Sequence, residues 1–166
     1  MSGRQRRSFE SGHRPKFMVV VDDTPECARA VHFAARRASR TGASMVMLAV
    51  IDPPDNFEWI GVGEAMIAEA EAEAEKRLEA ASRDARTAAG LEPEQVTRVG
   101  EKAAAITGLI EEDEDISFLV LAAGTGKEGP GPLVTTIAGK AASTFPIPIV
   151  IVPGSLSDDE IEALAG

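Results

Sequence analysis

Five short apolar runs, alternating with longer helix-forming stretches, constrain this chain more than any other feature. The first, KFMVVVDD at residues 16–23, is rich in β-branched side chains and ends in two Asp. A continuous run of that length is too short for a helix and reads as a strand buried on both faces. TPECARAVHFAARRASRTG follows, with Thr24 as the expected N-cap, Pro25 at the first helical position and Glu26 as a favourable early charge. Ala30, Val31, Ala34, Ala35 and Ala38 make an apolar stripe at helical spacing. Arg36, Arg37 and Arg40 crowd the last turns, and Gly42 closes the helix.

The same punctuation recurs downstream. ASMVMLAVIDPP (43–54) is a second buried strand stopped by Asp52-Pro53-Pro54, and residues 55–63 are expected as a loop carrying Trp59. A long Ala/Glu helix is expected from about Glu64 to Ala89, its acidic run most simply a solvated face. EQVTRVG (94–100) is a short third strand, KAAAITGLIEEDED (102–115) a helix turning Ile106, Leu109 and Ile110 inward, and ISFLVLAA (116–123) a fourth strand. TTIAGKAASTF (135–145) is expected as a short helix and IPIVIVP (147–153) as the last strand. In the tail, Ser157 and Glu160 form a capping box ahead of Ile161 and Leu164, which predicts a short amphipathic helix. Strands alternating with helices imply a parallel sheet covered on both faces by right-handed crossovers. The expected organisation is a solvated, disordered basic arm over 1–15, one doubly wound α/β domain over 16–153, and a tail over 154–166.

Composition narrows the function classes. The 166 residues suit one domain, and with six Phe, one Trp and no Tyr the core must come from aliphatic side chains and Met. The net charge is −10, divided between +4 over residues 1–16 and −14 over the rest. So acidic a body is a poor partner for nucleic acid, whose binders need a basic face. No stretch approaches the ~20 apolar residues of a membrane span, and the basic arm lacks the apolar core of a secretory signal. Cys27 is the single cysteine, so neither an intramolecular disulfide nor a multi-Cys zinc site can form. A reducing, cytoplasmic setting is the expectation.

In an open α/β sheet, ligands bind beyond the carboxyl ends of the strands where strand order reverses. The loops that matter are Asp22-Asp23-Thr24, Ile51-Asp52, and AGTGKEGPGPLVTT after the fourth strand. Gly124, Gly126 and Gly129 spell G-x-G-x-x-G, yet the dinucleotide fingerprint belongs to the first strand–helix turn and carries an acid about twenty residues on. Here the glycines follow the fourth strand, two prolines delay the helix, and Pro146-Ile147-Pro148 stands where the acid should be. Gly139-Lys140 is followed by Ala141, so a Walker A loop is also excluded. Two readings of the loop stand: a wide Gly-Pro turn, or a nest of backbone N–H groups with Lys127 as point charge and Thr135 and Thr136 at a helix N-terminus. Cys27, in the first turn of a helix where a thiolate is favoured, is read as packing, and His32 as a surface or partly buried histidine. No catalytic triad, carboxylate pair or metal-ligand set stands out.

Taken together, VVVDDTPECARAV, MLAVIDP and LVLAAGTG…TTIAGKAASTFPIPIVIV resemble the universal stress protein family over about residues 16–153. The resemblance implies a five-stranded parallel sheet in the order 3-2-1-4-5 and a homodimer formed through the final strand (147–152). In its ATP-binding branch the motif Gly-x-x-Gly-x9-Gly-Ser/Thr holds the nucleotide. Read literally, Gly126-x-x-Gly129 leads to Gly139 but Lys140 then replaces the hydroxyl residue. Anchored on the flanking strands, the motif positions fall at Ala122, Thr125, Thr135 and Thr136, of which only Thr136 keeps its family identity. By the same resemblance Asp22 matches the ribose-side Asp, and Val50 the residue whose backbone meets adenine. The expectation is a dimeric regulatory protein holding ATP or another adenine nucleotide between Asp22, Val50 and the loop residues Gly124, Gly126, Lys127, Gly129, Thr135 and Thr136. It would be at most a weak ATPase, acting on an unknown protein client. The alternative is a nucleotide-independent dimeric interaction module of the same fold. An enzyme of the wider adenine-nucleotide hydrolase-like class would want a Ser-Gly-Gly-x-Asp-Ser loop after the first strand, which is missing here.

Overall fold

The computed structural model describes residues 5–53 and 62–166, so most of the expected 55–63 loop, Trp59 included, lies outside the described residues. Five parallel strands, β1 (Lys16–Val20), β2 (Ser44–Ile51), β3 (Glu94–Val99), β4 (Ile116–Ala123) and β5 (Ile149–Pro153), form one sheet in the order 3-2-1-4-5. Alternation across the sheet sorts its side chains between two layers. Val19, Met47 and Val120 face α1 (Cys27–Thr41) and α2 (Val62–Ala89), whereas Met18, Leu48 and Leu121 face α3 (Lys102–Glu112) and the helical segment after β4. The expected α1 stripe is fully buried, and α3 turns Ile106, Leu109 and Ile110 inward as its spacing requires. In α2 the acidic face is solvated, and Ala74, Leu78, Ala81 and Ala85, at steps of four and three, supply the buried stripe.

Local departures have local causes. Thr24 does not cap α1, because its amide and hydroxyl both donate to Asp22 Oδ1, at 3.0 and 2.5 Å. The helix therefore starts at Cys27 without a side-chain cap. Helix α4 (Pro132–Val134) starts three residues earlier than expected, since a proline at the first helical position loses no hydrogen bond. It widens into a π turn over Thr135–Lys140 and ends in a 3-10 turn over Ala142–Thr144. Three consecutive β-branched residues and Gly139 make a regular α-helix weak there. Strand β5 starts at Ile149 because Pro146 and Pro148 have no N–H to give a ladder.

Residues 5–15 and the tail both pack on the domain. Residues 5–15, expected as a disordered arm, run instead along the α3–β4 turn and bond to it. Arg6 donates to the carbonyls of Asp113 and Ile116, the Arg7 amide to Glu114 O at 2.9 Å, and His13 Nδ1 lies 2.7 Å from Asp115 Oδ1. Tail helix α5 (Asp158–Leu164) has both halves of its expected capping box. It docks acids onto a row of α1 bases: Arg29 to Asp158 at 2.6 Å, and His32, Arg36 and Arg40 to Glu162 at 2.8, 2.7 and 3.3 Å.

Candidate functional site

Because β1 and β4 are neighbours while their helices leave on opposite faces, their carboxyl ends diverge and open a crevice. It contains a recess of about 200 Å³ lined by Asp22, Thr24, Glu26 and Lys102, with Ala122 and residues 130–134 forming the far wall. A second recess of about 230 Å³ shares Lys102, Pro132 and Leu133 with it and adds Asp52, Glu101 and Thr136. Together the two reach the lower part of the ~300–1,000 Å³ range of small-molecule sites. Thr24 fixes the Asp22 carboxylate through Oδ1, which leaves Oδ2 for the recess. Lys102 opens α3, where Glu101 rather than Lys102 takes the capping role by accepting from the amides of Ala103 and Ala104. The lysine makes no ion pair among the described residues, so its charge is available to whatever enters.

The loop glycines are placed differently from a simple cradle. The Gly124 amide donates to Pro130 O at 3.1 Å and the Gly129 amide to Gly126 O at 3.1 Å, so two of the three motif N–H groups are spent inside the loop. Gly129 and Gly131 have φ of 82° and 107°, the left-handed backbone that turns the chain into α4. Gly124 serves close approach: a Cβ there would stand 3.0 Å from Glu26 Oε1. Gly126 and Lys127 are exposed and line neither recess. Thr135 donates its hydroxyl to Gly131 O at 2.9 Å, whereas Thr136 lines the second recess. Val50 is half-buried near the end of β2 and lines neither. The structure thus brings Asp22 and Thr136 to the crevice and holds Gly124 behind Glu26.

Lys102, Glu26 and Thr24 were missed in the sequence as site residues. Lys102 had a usable signal, because Gly100-Glu101-Lys102 follows the third strand and every such loop lies at the carboxyl edge of a parallel sheet. Glu26 had none, since its approach to Gly124 depends on the long-range pairing of β1 with β4. Cys27 also lines the recess, but burial pushes its thiol up to about 11, and its Sγ contacts Val20 O at 3.8 Å. Desolvation therefore reverses the lowering expected of a helix N-terminus and leaves a packing thiol. Among the described residues no cluster of His, Cys, Asp or Glu could hold a metal ion, and no helix is long and apolar enough to cross a membrane.

An open parallel sheet with a polar recess where strand order reverses defines a small-ligand α/β domain of the doubly wound class. The chain belongs to the universal stress protein family, whose sequence pattern it matches over residues 13–153. Among solved structures it is similar to a universal stress protein of Lactobacillus plantarum, with 18% identity, a TM-score of 0.66, and coverage of 83% of this chain and 97% of that one. A universal stress protein of Archaeoglobus fulgidus in complex with dAMP is also 18% identical, with a TM-score of 0.57 and the same coverage, 83% and 97%. A family member from Arabidopsis thaliana with AMP bound is 15% identical, with a TM-score of 0.56 over 84% of this chain and 91% of that one. A comparison with curated proteins returned no match.

Proposed function

We propose that this universal stress protein binds an adenine nucleotide in the β1/β4 crevice and acts as a nucleotide-responsive regulatory protein. The observation that carries the reading is the placement of a fixed carboxylate, Asp22, and of Lys102, an ammonium without an ion-pair partner among the described residues, on the walls of one recess. Asp22 Oδ2 is positioned to accept from ribose hydroxyls, and Lys102 with Thr136 to meet a phosphate from the second recess. The neighbours carrying dAMP and AMP support the choice of base. Charge favours few phosphates: Asp22 and Glu26 outnumber Lys102 and repel each added phosphate charge, so AMP is preferred to ATP. The dimer belongs to the same proposal. Strand β5 is an edge of the sheet made of Ile149, Val150, Ile151 and Val152, while the opposite edge, β3, carries Glu94, Gln95 and Arg98. Apolar edges seek a partner and charged ones refuse it.

Thermal unfolding with AMP, ADP, ATP or GMP at millimolar concentration tests the reading. AMP should raise the midpoint most, and Asp22→Ala should lose the rise; a midpoint indifferent to every nucleotide would overturn it. A nucleotide-independent interaction module is favoured by one observation, the internal bonding of the Gly124 and Gly129 amides, which leaves the loop without two of its anion donors. On that reading the dimer persists and no nucleotide shifts the midpoint.

A further inference from the structure

At the opposite, amino end of the sheet lies a larger cavity that nucleotide binding does not use. It measures about 400 Å³, and four of the six phenylalanines line it: Phe9 of the arm, Phe17 of β1, Phe33 of α1 and Phe118 of β4. Phe17 and Phe118 meet edge to face, their centroids 5.1 Å apart. Such a pair leaves a ring face and a ring edge to a third aromatic group. Small Ala43 and Thr41 at the entry to β2 leave the space unfilled.

Its polar lining is Arg37 and Thr41, and the Thr41 hydroxyl already donates to Arg37 O at 2.9 Å. The other arginines of α1's outer face, Arg29, Arg36 and Arg40, are held by Asp158 and Glu162 of α5. Arg37, one position round the helix, has no ion-pair partner among the described residues and stands exposed at the cavity mouth. Phe9 is 83% exposed at the rim, although Arg6 and Arg7, just before Ser8, tie its segment to the α3–β4 turn. An anchored, exposed ring beside an apolar hole and a lone guanidinium matches a ligand with an aromatic body and an anionic head.

We propose that this cavity binds a small aromatic carboxylate, its ring among Phe9, Phe17, Phe33 and Phe118 and its carboxylate on Arg37. The site is separate from the nucleotide crevice and does not depend on it. Calorimetric titration of the full chain with 2-naphthoate and with the neutral 2-naphthalenemethanol tests it. Naphthoate should bind saturably and about threefold to fivefold more tightly than the alcohol, the upper range for a charge-assisted contact at an exposed site. Arg37→Gln should remove that preference and leave the alcohol unchanged. Thr41→Trp, on an exposed position, should block both, and Phe9→Ser should weaken both by a few-fold without altering the melting midpoint. Absence of saturable heat with naphthoate, equal affinity for acid and alcohol, or an indifferent Arg37→Gln would overturn the proposal. So would a dimer that falls apart in Thr41→Trp while naphthoate gives no heat, because a second copy would then own the cavity.

Discussion

At the carboxyl ends of β1 and β4 a recess of about 200 Å³ is lined by Asp22, Glu26 and Lys102, whereas at the amino ends a cavity of about 400 Å³ is lined by four phenylalanines and one cation. The topology dictates the first and not the second. Where parallel strands end, crossover helices begin, so polar loops and helix N-termini collect beside the strand-order reversal whatever the sequence. At the other end the chain has only to seal the core, and an opening there depends on which side chains were chosen. Large rings opposite Thr41 and Ala43 leave a hole that larger residues at those two positions would close. The polar end can therefore be anticipated from the fold, while the apolar end has to be read side chain by side chain.

The largest effect expected is one that would blur the comparison by acting on the core both ends share. Leu78→Ala, at a fully buried position of α2, should cost about 2–5 kcal/mol in denaturant unfolding and weaken both sites together. Next, Asp22→Ala should lower AMP affinity about tenfold or more while leaving naphthoate untouched, because the lost charge-assisted hydrogen bonds lie at one end only. A smaller change should follow Glu26→Gln, which removes one of two carboxylates and should raise ATP affinity a few-fold relative to AMP.

The smallest effect concerns the brace that engages the arginines beside Arg37. The hydrogen bond from His32, with Arg36 and Arg40 nearby, holds Glu162 below its ordinary value of 4.5. A carboxylate with a lowered folded pKa contributes stability that is fully present above 4.5 and is lost as pH falls through the folded value. Protection of the α5 amides, taken relative to the unfolded chain at each pH, should therefore be constant near neutral pH and fall as pH drops below 4.5, with Glu162→Gln removing that dependence. Constant protection down to pH 3 would argue that the brace is apolar, through Ile161 alone.

Much of the fold was legible because each element carries its own signal. Apolar runs gave the strands, the stripe from Ala30 to Ala38 gave α1, and Ser157 with Glu160 gave α5. The strand order came from resemblance, since periodicity says nothing about which strands pair. Of the crevice, Asp22 was legible from its position at the end of β1. Lys102 was read only as a helix start, and the Gly124–Gly129 stretch stayed open between a plain turn and an amide cradle because sequence cannot show that its amides bond to Pro130 and Gly126. The docked arm escaped for a related reason. Arg6, Arg7 and His13 find Asp113, Glu114 and Asp115 about a hundred residues away, whereas composition alone describes a solvated tail.

Amide NMR of the full chain titrated with AMP tests the central claim most directly, because it reports both ends of the sheet in one measurement. The account predicts saturable shifts at Asp22, Thr24, Lys102, Gly131 and residues 133–136, with Phe17, Arg37 and Phe118 unmoved, and loss of the shifts in Asp22→Ala. Shifts absent from the crevice, or gathered at the phenylalanine-lined end, would contradict it.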